Sequence, residues 1–297
     1  MKDKAVKPKK RVMVNQLNDL TASEWIQETI SVFNQKGLGA GHEDTKIERQ
    51  HPAPFSFQDV GRLIKFFTKK EQRVLDPFNG VGSTLKACAV NNREGVGIEI
   101  VKKYVSLSKE RLRKELNTDL YSEINKKQTV IQGDALKAIQ KFPDDHFDFI
   151  VTSPPYWSIL NKKADHKVKQ ERIAHDLDVN YSNLKKDLGN IQNYDVFLDV
   201  LSRFFNDCSR ILKPKKYLCV IVSDFRHKDK FYVFHSDLAK KLEEGNYALK
   251  GITVLYQRHK KIFPYGYPYS YVPNIHHQYI IILQNKKMDD TKQDAKK

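Results

Sequence analysis

From about residue 51 onward, short apolar runs alternate with stretches whose apolar residues recur at helical spacing. Val60, Leu63, Ile64 and Phe67 mark the first amphipathic helix. Arg73 to Asp76 reads as strand one and Ser83 to Val90 as the helix after it. Gly95 to Ile100 reads as strand two, followed by a helix bearing Tyr104, Leu107, Leu112 and Leu116. Thr129 to Gln132 and Phe147 to Val151 are strands three and four. The helix from about Tyr194 to Leu212 carries Phe197, Leu201, Phe204, Cys208 and Ile211 on one face, and Pro214 stops it. Tyr217 to Val222 is strand five. Ser236 caps a helix that ends at Gly245, and Ile252 to Tyr256 and Gln278 to Leu283 are strands six and seven. This alternation predicts the α/β class, a mostly parallel sheet with helices on both faces. Ligands of such sheets bind beyond the carboxyl ends of the strands. Asp76, Glu99, Asp134 and Ser153 all fall at those ends, so a single site is expected.

The flanks differ from this core. Residues 1 to about 11 are basic. Thr21 to Phe33 has helical spacing, with Thr21 or Ser23 as its cap, and Lys36 to Gln50 reads as a loop over a ligand site. Residues 158–193 break the alternation. Asn161 to Arg172 is crowded with Lys, Asp, Gln and His and predicts an exposed insertion beside the site. The organisation expected is an extension (1–50), one catalytic domain (51–285) containing that insertion, and a charged tail (286–297).

Charge narrows the class of partner. The formal net charge is +16, with the Lys/Arg excess spread along the chain. Such a balance suits a polyanion, most often nucleic acid, or else reflects a generally basic surface. No run of eighteen or more apolar residues occurs, so neither a membrane span nor a signal peptide is expected. Cys88, Cys208 and Cys219 are odd in number and lie in apolar surroundings, which suits a reduced, cytoplasmic setting. His276 and His277 are adjacent and point to opposite faces of a strand. With no Cys-x-x-Cys or His-Glu-x-x-His, no metal site is expected.

Two stretches carry the chemistry. Val74 to Thr84 contains Asp76-Pro77-Phe78-Asn79-Gly80-Val81-Gly82-Ser83, a strand end, a glycine turn and a helix start. It lacks the third glycine of a dinucleotide fingerprint and the Gly-Lys-Ser/Thr of a phosphate loop. A nucleoside-type cofactor without phosphates needs only close backbone approach at Gly80 and Gly82. Glu99, about twenty residues on, sits where an acid takes ribose hydroxyls. The second stretch is Thr152-Ser153-Pro154-Pro155-Tyr156-Trp157. The prolines have no N–H to donate, so their carbonyls face the site as uncontested acceptors. An exocyclic amine conjugated to a ring is a poor nucleophile because its lone pair is delocalised. Two acceptors engaging its hydrogens in a tetrahedral direction, Ser153 Oγ and the Pro154 carbonyl, would localise that pair, with Tyr156 stacking on the ring. Transfer would then rest on placement and oriented dipoles.

Five motifs in one order complete the picture: His51-Pro52-Ala53-Pro54-Phe55, Asp76-Pro77-Phe78-x-Gly80-x-Gly82, Gly97-Ile98-Glu99, Gly133-Asp134-Ala135 and Ser153-Pro154-Pro155-Tyr156. With them the chain, from about Trp25 to Leu283, resembles the S-adenosylmethionine-dependent amino-methyltransferases of DNA, the N4-cytosine/N6-adenine group. The resemblance implies a Rossmann-like seven-stranded sheet whose last strand inserts antiparallel. It implies S-adenosyl-L-methionine as cofactor, its methionine part against His51 to Phe55 and the Asp76 to Gly82 loop, its ribose on Glu99 and its adenine amine on Asp134. It also implies double-stranded DNA as substrate, with the base flipped out, and a paired restriction endonuclease as companion.

In this family a Ser opening the four-residue motif goes with cytosine N4, and Asp or Asn with adenine N6. Cytosine is therefore the expected base, with adenine N6, an RNA amine or a catalytically silent binder as alternatives. A cytosine C5 reaction would need a Cys nucleophile, and no Pro-Cys pair occurs. The cofactor motif precedes the catalytic one, and no large recognition domain follows. DNA contact is thus expected from Trp157, from Lys162, Lys163, Lys167, Lys169 and Arg172 of the insertion, and from the tyrosine-rich loop after Arg258, through Lys260, Lys261, Tyr267 and Tyr269.

Overall fold

The structure is a computed structural model that describes residues 14–36, 45–51, 56–116, 121–157 and 188–288. Its strands are β1 (Val32–Asn34), β2 (Arg73–Asp76), β3 (Glu94–Glu99), β4 (Gln128–Gln132), β5 (Phe147–Thr152), β6 (Leu212–Val222), β7 (Phe225–His227), β8 (Lys230–Tyr232), β9 (Tyr247–Tyr256) and β10 (His277–Asn285). Eight of them form one sheet in the order β1-β9-β10-β6-β5-β2-β3-β4. β10 runs antiparallel to both neighbours, and the other pairings are parallel. All seven expected strands are present, with the last inserted antiparallel.

β5 is buried at all six positions, as a central parallel strand covered on both faces must be. Its alternate side chains feed two cores. Ile150 joins Leu75, Phe197, Leu201 and Leu238 on one face, and Phe149 and Val151 join Val74, Leu63, Ile64 and Phe67 on the other. The helices are α1 (Ala22–Glu28), α2 (Thr45–Glu48), α3 (Phe57–Phe67), α4 (Ser83–Val90), α5 (Lys102–Glu115), α6 (Ser122–Lys126), α7 (Ala135–Ala138), α8 (Tyr194–Ile211) and α9 (Phe234–Glu244).

From β2 the chain winds outward through β3 to β4, then returns to place β5 on the other side of β2. The crevice of such a sheet opens where the winding reverses, between the carboxyl ends of β2 and β5. Asp76 closes that seam. Its buried carboxylate accepts from Thr152 Oγ1 at 2.6 Å, from Thr84 Oγ1 at 2.5 Å and from the Phe78 N–H at 3.0 Å. One side chain thus ties β2 to β5 and to the first turn of α4.

Four features differ from expectation. α1 is capped by Thr21 as expected but ends at Glu28. Val32–Asn34 instead pairs with β9 as an eighth strand, because Phe33 finds burial beneath the Arg62 guanidinium, 3.4 Å above its ring. α2 interrupts the loop expected from Lys36 to Gln50. α9 starts at Phe234 with Val233 as its cap residue, so Ser236 lies inside the helix. The hairpin β7-β8 was not expected; its residues pair only with each other, and Phe225 stacks on Tyr232 at 5.3 Å. Among the described residues no helix is long and apolar enough to cross a membrane.

Burial pushes the Asp76 carboxyl up to about 6 from 3.8, against the pull of its three donors. An acid whose folded pKa lies above its unfolded value favours the fold while protonated, and that contribution is lost as pH rises through the folded pKa. At about 1.4 kcal/mol per pKa unit, the advantage of the parent chain over Asp76→Asn should shrink by up to about 3 kcal/mol between pH 4 and 7. Urea unfolding of both proteins across that range checks this. A difference independent of pH would show that Asp76 stays ionised throughout.

Candidate active site

Beyond the carboxyl ends of β2, β3, β4 and β5 lies a cleft that gathers half of the residues expected to bind the cofactor or act in catalysis. His51, Pro77, Phe78, Glu99, Asp134, Ala135, Ser153 and Pro155 line it. Ile98, Val101, Tyr104, Leu136 and Leu188 complete apolar walls that sequence reasoning had placed in the core or left unassigned. The signal for Tyr104 was its place in the first turn of α5, just after Glu99, where a side chain faces the strand ends. Leu188 had no such signal, because only the return of the chain after the insertion brings it there.

Glu99 is the most constrained polar group in the cleft. Its Oε2 accepts the Gly80 N–H at 2.9 Å and its Oε1 the Val101 N–H at 2.7 Å, while its own carbonyl accepts from the Gly133 N–H. The carboxylate is therefore oriented by the backbone of two loops, and a carboxylate oxygen can accept more than one hydrogen bond. Gly80 has φ +50°, a conformation that favours glycine, and a Cβ there would stand 3.3 Å from the His51 ring, tighter than an ordinary contact. His51 in turn stands edge-on to Tyr104, with ring centroids 4.8 Å apart. Asp134 caps α7 through the Leu136 N–H at 3.0 Å.

Besides Gly80, whose N–H is taken by Glu99, three residues expected to hold a cofactor do not line the cleft. Asp76 is fully buried and occupied by its three donors. Ser83 is buried, and its Oγ accepts from Arg111 Nη1 at 2.9 Å. Gly82, with φ +83°, is the left-handed cap of α4, where a Cβ would come within 2.4 Å of Ser108 Oγ. Each shapes the loop that others present. Pro52 and Phe55 lie outside the described residues.

The donor set suits a nucleoside-type ligand. Two carboxylates, an imidazole and apolar walls form the cleft, and its described lining contains no Lys or Arg. A polyphosphate would meet like charge here, whereas ribose hydroxyls and a cationic group would find acceptors. Among the described residues no group of three or more His, Cys, Asp or Glu could hold a metal ion.

At the mouth, Pro154 and Pro155 end β5 and Ser153 faces the cleft. Tyr156 is half-buried, its hydroxyl accepting from Gln278 Nε2 at 3.1 Å and its ring 6.4 Å edge-on from Phe234. Burial pushes its phenol up, opposed by hydrogen bonds with Gln278, Ser153 and the Ser223 backbone. Gln278 thus joins the site from β10, whose antiparallel insertion brings its first residues beside the carboxyl end of β6.

Trp157 corrects the expectation of a DNA contact. It is 5% exposed and enclosed by Tyr194, Phe225, His227 and Tyr232, because the unforeseen hairpin folds over it. The expected contacts Lys162, Lys163, Lys167, Lys169 and Arg172 lie outside the described residues. Lys260 and Lys261 are exposed, and Tyr267 and Tyr269 are 82% and 94% exposed in a loop with the left-handed Gly266. These rings cover no core.

A stretch of 84 residues, 27% of the chain, is 36% identical to the orphan methyltransferase M.BamHII of Bacillus amyloliquefaciens, and it spans 32% of that protein. Over 158 residues the chain is 31% identical to the tRNA (guanine(10)-N2)-dimethyltransferase of Pyrococcus abyssi, covering 52% of this chain and 44% of that one. The chain therefore spans less than half the length of these curated relatives. Among solved structures, the putative DNA modification methylase TTHA0409 of Thermus thermophilus, complexed with S-adenosyl-L-methionine, aligns at 20% identity and a TM-score of 0.36 over 53% of this chain and 55% of that one. The family of DNA methylases of the N6/N4 type matches residues 2–110 and 147–297. With its motifs converging on one cleft and nearly the whole chain matched, this protein belongs to the N6/N4 DNA methylase family.

Proposed function

We propose that the protein transfers a methyl group from S-adenosyl-L-methionine to the exocyclic N4 of a cytosine flipped out of double-stranded DNA. The observation that carries the proposal is the convergence of a nucleoside-type cleft, built on Glu99 and Asp134, with the Ser153-Pro154-Pro155-Tyr156 turn at its mouth. The cofactor supplies an electrophilic methyl on a sulfonium. Glu99 and Asp134 would hold its ribose and adenine amine, and His51, Pro77 and Phe78 its methionine end.

This chain's own groups do the rest. Ser153 Oγ and the Pro154 carbonyl accept hydrogen bonds from the two N–H groups of the target amine and turn its lone pair out of conjugation toward the cleft, and one of those protons leaves to water once the nitrogen carries the methyl group. Tyr156, held at its hydroxyl by Gln278, offers a ring face to the base. Placement supplies the rate, since preorganised dipoles need not reorient during the reaction. The buried thiols of Cys88 and Cys208, pushed well up by burial, do not supply a thiolate for C5 chemistry.

Flipping the base costs a few kcal/mol. Basic side chains on phosphates and exposed aromatics can offset it, and the loop of Lys260, Lys261, Tyr267 and Tyr269 presents both. Lys162, Lys163, Lys167, Lys169 and Arg172 would add charge for phosphates, and a paired restriction endonuclease would be the enzyme whose cleavage the mark blocks. A second reading, an amine in structured RNA, is favoured by the match over half the chain to the tRNA dimethyltransferase.

Incubation with labelled S-adenosyl-L-methionine and unmethylated genomic DNA, then mass spectrometry of nucleosides, should give N4-methylcytosine. N6-methyladenine would overturn the choice of base, and label in RNA alone the choice of polymer. Ser153→Ala should lower kcat by about 10²-fold, the scale of removing one oriented hydrogen-bonding group, while calorimetry shows cofactor affinity unchanged. Glu99→Ala should weaken cofactor binding by roughly 1–3 kcal/mol; unchanged affinity would remove Glu99 from the site. DNA affinity should fall steeply with salt, and Tyr269→Ala should weaken DNA binding while leaving cofactor affinity intact. A flat salt response would make the basic surface incidental.

A further inference from the structure

The short helix α2 is fastened to the domain by a buried charge cluster that methyl transfer does not use. Arg111 on α5 is 0% exposed, and its guanidinium donates to Glu48 Oε2 at 2.9 Å, to Ser83 Oγ at 2.9 Å and to Glu115 Oε2 at 3.0 Å. Lys86 on α4 reaches the same Glu115 oxygen at 2.6 Å. Two cations therefore face two carboxylates, and Glu48 is the only one of the four that lies N-terminal to the α/β core. Burying charge is costly unless each ion is paired. Without Glu48, Arg111 would lose one of the two carboxylates that face it. Burial pushes the Glu48 carboxyl up, and Arg111 pulls it back toward the ionised form.

Next to the pair, Ile47 is buried against Val81, Tyr104 and Leu107. The His51 N–H donates to the Glu48 carbonyl at 3.2 Å, and three residues beyond Glu48 the imidazole already stands in the cleft wall against Tyr104. Neither Glu48 nor Arg111 lines the cleft. Arg111 also holds Ser83 at the start of α4, so the same guanidinium links α2 to α4 behind the cleft.

We propose that the Glu48–Arg111 ion pair is a positioning device for cofactor binding: it seats α2 on α5 and thereby sets His51 against Gly80 and Tyr104. The inference rests on the cleft being the cofactor site. Glu48 and Arg111 act through His51 and touch no reacting atom.

The test uses the full chain, Glu48→Ala and the milder Glu48→Gln, which keeps an acceptor for Arg111. In cofactor-free protein, hydrogen exchange read by mass spectrometry should rise about tenfold or more for residues 45–51 in Glu48→Ala, with α5 and β2 unchanged, and less in Glu48→Gln. The Kd for S-adenosyl-L-methionine should rise about tenfold in Glu48→Ala, while kcat at saturating cofactor stays within about twofold. Unchanged exchange and affinity would overturn the proposal. Loss of protection spread through α4 and α5, with kcat falling too, would also overturn it by assigning the pair to general stability. If the parent chain bound no S-adenosyl-L-methionine, the cofactor reading would fall, and with it the claimed role, whatever the exchange at 45–51 showed.

Discussion

The Asp76 carboxylate is the constraint on which the site depends. It sits at the point where the sheet's winding reverses, and its oxygens satisfy two hydroxyls and one backbone N–H from three separate segments. A buried acceptor of this kind is costly if any donor is removed. The spacing between the strand that carries the glycine loop and the strand that leads into Ser153-Pro154-Pro155-Tyr156 is therefore narrowly set. The cleft exists because β2 and β5 are held side by side while the chain leaves them in opposite directions.

From that seam outward the polar residues work in two ranks. Asp76, Gly82 and Ser83 hold backbone in place, and Glu99, Asp134, His51 and Ser153 are what that backbone presents. Glu99 belongs to both ranks, since it takes the Gly80 and Val101 N–H groups while facing the cleft. The close approach of His51 to Gly80 has the same double character, because the glycine's missing side chain is the space the imidazole fills. A motif residue can thus shape the cleft without lining it.

The rim follows different physics. Trp157 continues directly from the catalytic turn, yet the hairpin β7-β8 and Tyr194 enclose it, so it anchors the turn from beneath. The loop after Arg258 instead exposes its tyrosines among basic residues, a poor arrangement for a core and a good one for stacking beside phosphates. The antiparallel β10 brings Gln278 to the hydroxyl of Tyr156, linking the far half of the sheet to the catalytic turn.

The seven principal strands, the helices that follow the first, second, fourth and fifth of them, and the gathering of Asp76, Glu99, Asp134 and Ser153 at one edge were legible in the sequence. Period and strand-end chemistry are local properties, so each segment carries its own record of them. What stayed hidden was decided by partners distant in the chain. Phe33 became part of a strand because β9 and Arg62 offered it burial, Trp157 became core because a hairpin some seventy residues later folded over it, and Asp76 became a brace because Thr152 arrived beside it. Glu48 and Arg111 were unremarkable charges in sequence, and only the docking of α2 on α5 made them a buried pair. Whether a polar residue meets a ligand or supports one depends on which donors the tertiary fold brings to it, and no local pattern encodes that.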